Sequence, residues 1–188
     1  MSATEPPARP DLRRRMLVTG LALAPLGWAH PAAAFADAAR MLAFRHTHTG
    51  ERLSIEYYAR GAYFPEALGL IERLLRDFRT GDLHAIDPRL LDTLHALGVA
   101  CGGGTFEIIS GYRSPKTNAQ LRKAGDGVAE HSLHMEGRAI DVRLAGFPTA
   151  RLRQAAIALG RGGVGYYPQS DFVHLDTGRA RAWAPRVA

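Results

Sequence analysis

Polar and apolar positions change their period along the chain, and each change marks a new element. Leu42 to Arg45 and Arg52 to Tyr57 flank the polar segment His46-Thr47-His48-Thr49-Gly50-Glu51. In the second flank Leu53, Ile55 and Tyr57 alternate with polar residues. That two-residue period predicts a β-hairpin. Over residues 65–79 the period lengthens. Leu68, Ile71, Leu74, Leu75 and Phe78 recur at helical spacing behind Pro65, which suits a first helical turn. Asp87-Pro88 opens a second helix bearing Leu90, Leu91, Leu94 and Leu97 and ending near Gly98. Thr105 to Ser110 is a short β-rich run. Gly111-Tyr112-Arg113-Ser114-Pro115 then turns the chain, and a polar helix covers 115–124. Residues 125–137 are glycine-rich, hold His131 and His134, and read as a loop. Ala139 to Leu144 is a strand, 148–160 an apolar-faced helix, and Gly162 to Tyr167 and Phe172 to Leu175 two strands hinged at Pro168. Helices and strands come in separated groups without repeats or linkers. The prediction is a single α+β domain, a small antiparallel sheet flanked by helices.

Residues 1–36 stand apart from this pattern. Arg13, Arg14 and Arg15 precede an apolar run, Met16 to Trp28, that is too short to span a bilayer comfortably. Pro31 precedes two small-residue cleavage options, Ala32-Ala33-Ala34 and Ala34-Phe35-Ala36. The segment reads as a cleaved export signal. Arginines abutting Met16-Leu17 resemble the twin-arginine type, with an ordinary Sec signal as the alternative. The folded domain is then 37–188 and its expected location the periplasm. No cysteine lies near the cleavage options, so no lipid anchor is expected to hold it to a membrane.

Composition narrows the function classes. With 46% hydrophobic and 22% charged residues, the chain is neither disordered nor a multi-span membrane protein. Its one cysteine, Cys101, excludes an internal disulfide framework and a cysteine-rich zinc site. Any metal must therefore be held by histidines and carboxylates. The formal charge is +6; beyond residue 36, 20 basic and 16 acidic residues leave +4. Such a surface suits an anionic polymer, for example a bacterial cell wall. Export, and the lack of interleaved aromatic and basic residues, argue against nucleic acid. A monomer is expected.

Chemistry concentrates in Ser132-Leu133-His134-Met135-Glu136-Gly137-Arg138-Ala139-Ile140-Asp141, and again in Asp171-Phe172-Val173-His174. If Asp141 and His174 lie on adjacent strands and His134 folds over them, two imidazoles and one carboxylate converge. That set suits one zinc ion per chain with an open fourth position for water. A carboxylate must also take the proton of that water, and Asp171 is the candidate. Residues three apart on a strand face opposite ways, so this role needs a bend, helped by the Pro168 turn. Glu136 and Asp176 are rivals, although Asp176 also suits a cap of the Thr177-Gly178 turn. His30, His84 and His95 read as ordinary surface or core residues. His46 and His48 lack an accompanying carboxylate pattern for a second metal. His131 and Tyr166 are candidates for the cleft wall.

The pattern Ser132-x-His134-x-x-Gly137-x-Ala139-x-Asp141, followed by acid-x-x-His, resembles the zinc D-alanyl-D-alanine peptidase family. Those enzymes share a fold with the hedgehog signalling domain, and the closer resemblance is to their exported murein endopeptidase branch. His46 to Glu51, Ser110 to Ser114 and Asp171 to Gly178 extend the likeness over nearly the whole mature chain. The resemblance implies His134, Asp141 and His174 as zinc ligands, Asp171 as general base and Arg113 as a grip on the substrate carbonyl. A salt bridge holding the turn is the alternative role for Arg113. Many relatives carry Glu-x-Trp-His where this chain has Asp171 and Val173, which shortens the base by one methylene. The activity implied is hydrolysis of amide bonds in peptidoglycan peptides by a zinc-activated water. D,D and L,D bonds, and endopeptidase and carboxypeptidase modes, stay open. The alternative is a catalytically silent module that binds zinc or cell wall on the same fold.

Overall fold

The computed structural model describes residues 38–125 and 128–184. The export signal assigned to residues 1–36 lies outside the described residues. Strands β1 (Arg40–His46) and β2 (Arg52–Ala59) form the expected hairpin, and β3 (Ala62–Tyr63) extends it. Helices α1 (Pro65–Leu74) and α2 (Pro88–Ala100) follow, then β4 (Thr105–Ser110) and α3 (Pro115–Ala124). A 3-10 turn (Leu133–Glu136) precedes β5 (Ala139–Leu144). Helix α4 (Thr149–Leu159) and strands β6 (Gly163–Tyr167), β7 (Phe172–Asp176) and β8 (Arg181–Trp183) complete the chain.

The α+β class holds, but the sheet is larger than expected and mixed. All eight strands form one sheet in the order β3-β2-β1-β4-β5-β7-β6-β8. Pairs β1–β4 and β6–β8 are parallel and the others antiparallel. The period-two alternation decides what each face carries. Phe44, Phe106, Ile108, Ile140, Val142, Val173, Leu175 and Val164 point to one side. There they join Ile71, Leu74 and Leu75 around α1, Leu90, Leu91, Leu94 and Leu97 of α2, and Leu152 of α4 in one core. Truncating a leucine such as Leu94, which is fully buried, would cost about 2–5 kcal/mol.

Caps set where the helices begin. Asp87 accepts the Arg89 amide at 3.0 Å, and Ser114 accepts that of Thr117 at 3.3 Å, each just before a proline at the first helical position. Helix α1 stops at Leu74 rather than near residue 79. Beyond it the Asp77 carbonyl accepts the amides of Thr80 and Gly81, a turn in place of another helical turn.

Candidate metal centre

The other face of the sheet carries polar side chains in a register row. Ser110 pairs with Asp141, Asp141 with His174, His174 with Gly165, and Gly165 with Trp183, across five strands. Asp141 and His174 thus lie side by side on adjacent strands. His134 reaches them from the 3-10 turn, which ends where Gly137 adopts φ +64°. A Cβ at Gly137 would lie 2.0 Å from the Ala85 carbonyl oxygen, so no larger residue fits this turn.

Three donor atoms meet in a triangle. His134 Nε2 lies 3.2 Å from His174 Nδ1 and 3.3 Å from Asp141 Oδ1, and His174 Nδ1 lies 2.9 Å from the same oxygen. Each imidazole has its other nitrogen committed. His134 Nδ1 donates to the Gly111 carbonyl at 2.7 Å, and His174 Nε2 donates to Asp176 Oδ2 at 3.1 Å. Each ring thus turns its remaining nitrogen toward the Asp141 carboxylate, the orientation in which two imidazoles and a carboxylate hold a metal ion. Tetrahedral zinc with bonds of about 2.0–2.2 Å has ligand–ligand edges of roughly 3.3 Å, close to those of this triangle. Among the described residues this is the group of histidines and acids close enough to hold a metal ion, and it fits zinc.

Burial and charge act in opposition here. Burial lowers the pKa of His134. Burial also pulls His174 down, but its hydrogen bonds to Asp141 and Asp176 outweigh that and hold its pKa up to about 9. Burial would raise Asp141, yet the two imidazoles keep it well below the usual carboxylate range.

The triangle forms the floor of a cleft of about 570 Å³. Arg113, His131, Leu133, Tyr167, Phe172 and Trp183 line it. Tyr167 and Phe172 stack with ring centroids 4.6 Å apart. The Trp183 ring lies 5.2 Å from His174, and its indole N–H donates to the Tyr167 hydroxyl at 3.3 Å. The Arg113 guanidinium reaches in from the β4–α3 turn. Nη2 lies 3.6 Å from Asp141 Oδ2, Nη1 donates to Asn118 Oδ1 at 3.4 Å, and Nε has no partner.

Of the five residues expected to carry chemistry, the structure brings together four: Arg113, His134, Asp141 and His174. Asp171 is the exception. The chain does bend before His174, because Asp171 adopts φ +50° after the Pro168 turn. That bend sends its carboxylate to Thr149 Oγ1 at 2.8 Å and Arg143 Nη1 at 3.1 Å, and it does not line the cleft. These two hydrogen bonds also lower its pKa, Thr149 having the larger effect. Glu136 is likewise exposed and paired with Arg138. Asp176 does cap the Gly178 amide, at 2.8 Å, and it also holds His174. His46 is spent on its own hairpin: Nδ1 accepts the amides of His48 and Thr49, and burial lowers its pKa to about 4. Trp183 and Arg181 also belong to the site, and no pattern in the sequence pointed to them. Both sit on a three-residue strand, and Arg181 grips Asp176 with Nη2–Oδ2 at 2.7 Å.

An α+β sheet with a buried His–Asp–His centre on its open face defines the hedgehog-like peptidase class. Within that class the chain belongs to the M15_2 peptidase family, whose model, described as peptidoglycan L,D-endopeptidase MepK, matches residues 34–183. It is 43% identical over 146 residues to the probable peptidoglycan L,D-endopeptidase MepK of Haemophilus influenzae, covering 77% of this chain and 78% of that protein. It is 41% identical over 145 residues to the peptidoglycan L,D-endopeptidase MepK of Escherichia coli K12, covering 77% and 80%.

Proposed function

We propose that this protein is a periplasmic peptidoglycan endopeptidase that hydrolyses L,D amide bonds between cross-linked peptides, with one zinc ion held by His134, Asp141 and His174. The observation that carries this reading is the triangle of lone-pair donors at the floor of an open cleft. The names of the relatives supply the substrate class and the bond type. Zinc bound there lowers the pKa of a coordinated water toward neutrality and polarises an amide carbonyl.

The chain's own groups do the rest. Arg113 lines the cleft with Nη2 3.6 Å from Asp141 Oδ2, a terminal N–H donor for the substrate carbonyl and for the negative charge it develops. Asp176 fixes the tautomer of His174. The Tyr167–Phe172–Trp183 wall packs against the substrate peptide and keeps bulk water out. The attacking water must lose a proton to a group at the cleft. Asp171 reaches it only by leaving Arg143 and Thr149. His131 lines it with an uncommitted ring, so His131 takes the proton in this reading.

The test is a digest of purified sacculi by the zinc-loaded protein, with products identified by mass. Cleavage between an L-centre carbonyl and a D-centre amine is expected. His131→Gln should lose about 10²–10⁴-fold in turnover with zinc retained, and Asp171→Asn should stay near the parent rate. The reverse order returns the base to Asp171. A zinc-loaded parent that cleaves nothing supports the silent binding module instead. We further infer that residues 1–36 export the folded chain by the twin-arginine route. Changing Arg13, Arg14 and Arg15 to lysine should leave the protein in the cytoplasm, and unchanged periplasmic levels would contradict the route.

A further inference from the structure

Asp77 lies in the turn after α1, is 1% exposed, and does not line the cleft. We propose that Asp77 is a positioning residue for catalysis: its carboxylate fixes the backbone of residues 111–114 so that Arg113 meets the substrate. This rests on Arg113 gripping the substrate carbonyl, as set out above.

Every residue of the 111–114 turn is tied, and the ties alternate between two partners, the His134 turn and the segment after α1. On the inner side, the Gly111 carbonyl accepts from His134 Nδ1 at 2.7 Å, and the Arg113 amide donates to the His134 carbonyl at 3.1 Å. On the outer side, the Tyr112 amide donates to the Leu75 carbonyl at 2.8 Å. The Ser114 amide and hydroxyl both donate to Asp77 Oδ2, at 2.9 and 2.7 Å. The inner ties belong to a metal ligand. Of the outer ties, the one to Leu75 is backbone to backbone, and only the one to Asp77 comes from a side chain. The approach is close as well. A Cβ on Gly111 would lie 2.5 Å from the Leu75 carbonyl oxygen.

Asp77 is itself held firmly. Its Oδ1 accepts the Arg79 amide at 3.0 Å, and its carbonyl accepts Thr80 and Gly81. Burial would raise its pKa, but hydrogen bonds from Thr117 and Ser114 bring it down to about 2, so it is a full negative charge at neutral pH. That charge faces the start of α3, where helix dipole and carboxylate attract. It also offsets part of the cost of burying the Arg113 guanidinium, whose pKa burial lowers while Asp141 and Asp77 raise it. The Arg113 side chain has few bonds of its own, one at 3.4 Å and one ion pair at 3.6 Å. Its position is therefore set by its backbone, and a misplacement of about 1 Å can cost about 10²-fold in rate.

A double-mutant cycle separates this role from general support of the fold. Asp77→Asn, Arg113→Ala and the double variant are loaded with zinc. Zinc content, kcat and KM are then measured on a cross-linked peptide dimer. Asp77→Asn should keep one zinc per chain and lose about 10–100-fold in kcat/KM. In the Arg113→Ala background the same change should cost less than about threefold, because the group it positions is gone. Equal losses in both backgrounds, loss of zinc, or parent activity in Asp77→Asn would each overturn the proposal. Arg113→Ala at the parent rate would remove the Arg113 role itself, and the proposal with it. Should Asp77→Asn fail to fold, Ser114→Ala takes its place in the cycle and is judged by the same outcomes.

Discussion

His174 touches two carboxylates, Asp141 through Nδ1 and Asp176 through Nε2, and the second contact decides which nitrogen faces the metal centre. Asp176 in turn accepts the amides of Gly163 and Gly178 and both terminal nitrogens of Arg181, and its side chain is fully buried. Replacing it by asparagine would offer an N–H to donors that need an acceptor. Asp176→Asn should therefore weaken zinc binding about 10–100-fold, measured by competition with a chromogenic chelator. Unchanged affinity would mean that His174 needs no help to hold its tautomer. The three residues that converge, His134, Asp141 and His174, were legible in the sequence, because the spacing from His134 to Asp141 and the later histidine carry the pattern. Asp176 was legible as a turn cap but not as the partner of His174, a role that depends on Arg181 arriving across Gly163 in a parallel strand pair. The placement of Asp171 was hidden for a different reason. A left-handed residue at the end of a hairpin turn re-aims a side chain, and residue type alone does not reveal that.

At the level of elements, periodicity located the long pieces and failed on the short ones. The β1–β2 hairpin, α2, β4, α3 and β5 lie within a few residues of where their patterns put them. Strands β3 and β8 are two and three residues long, too short to display a period, and β8 brings Trp183 and Arg181 to the cleft. Of the loop expected over 125–137, residues 128–132 are irregular, but the last residues wind into the 3-10 turn that carries His134. That turn packs through Gly137 on the backbone of Ala85, whose neighbour Asp87 accepts the Thr177 hydroxyl at 2.8 Å and donates its amide to the Gly137 carbonyl. Gly137→Ala should lower stability by about 2–4 kcal/mol, from positive φ and the clash together. The denaturant midpoint of the zinc-free protein checks this. An unchanged midpoint would show that the turn moves away from Ala85 without cost.

The whole molecule divides its work between the two faces of one sheet. Helices and apolar side chains cover one face and supply the stability. The open face carries the His–Asp–His row and, beyond it, an ion-pair ladder of alternating sign from Arg45 through Glu107 and Arg143 to Asp171. Parallel pairing of β6 with β8 brings Trp183 to the cleft, and the β4–α3 turn brings Arg113. This face is expected to hydrolyse peptide cross-links only with one metal ion on His134, Asp141 and His174. The direct measurement strips the protein with a chelator, adds zinc back stepwise, and follows cleavage of a cross-linked peptide dimer by mass at each step. Activity should rise from nothing and level off at one zinc per chain, and His174→Ala should neither take up that zinc nor cleave. Full cleavage by the stripped protein, or by zinc-loaded His174→Ala, would contradict the account.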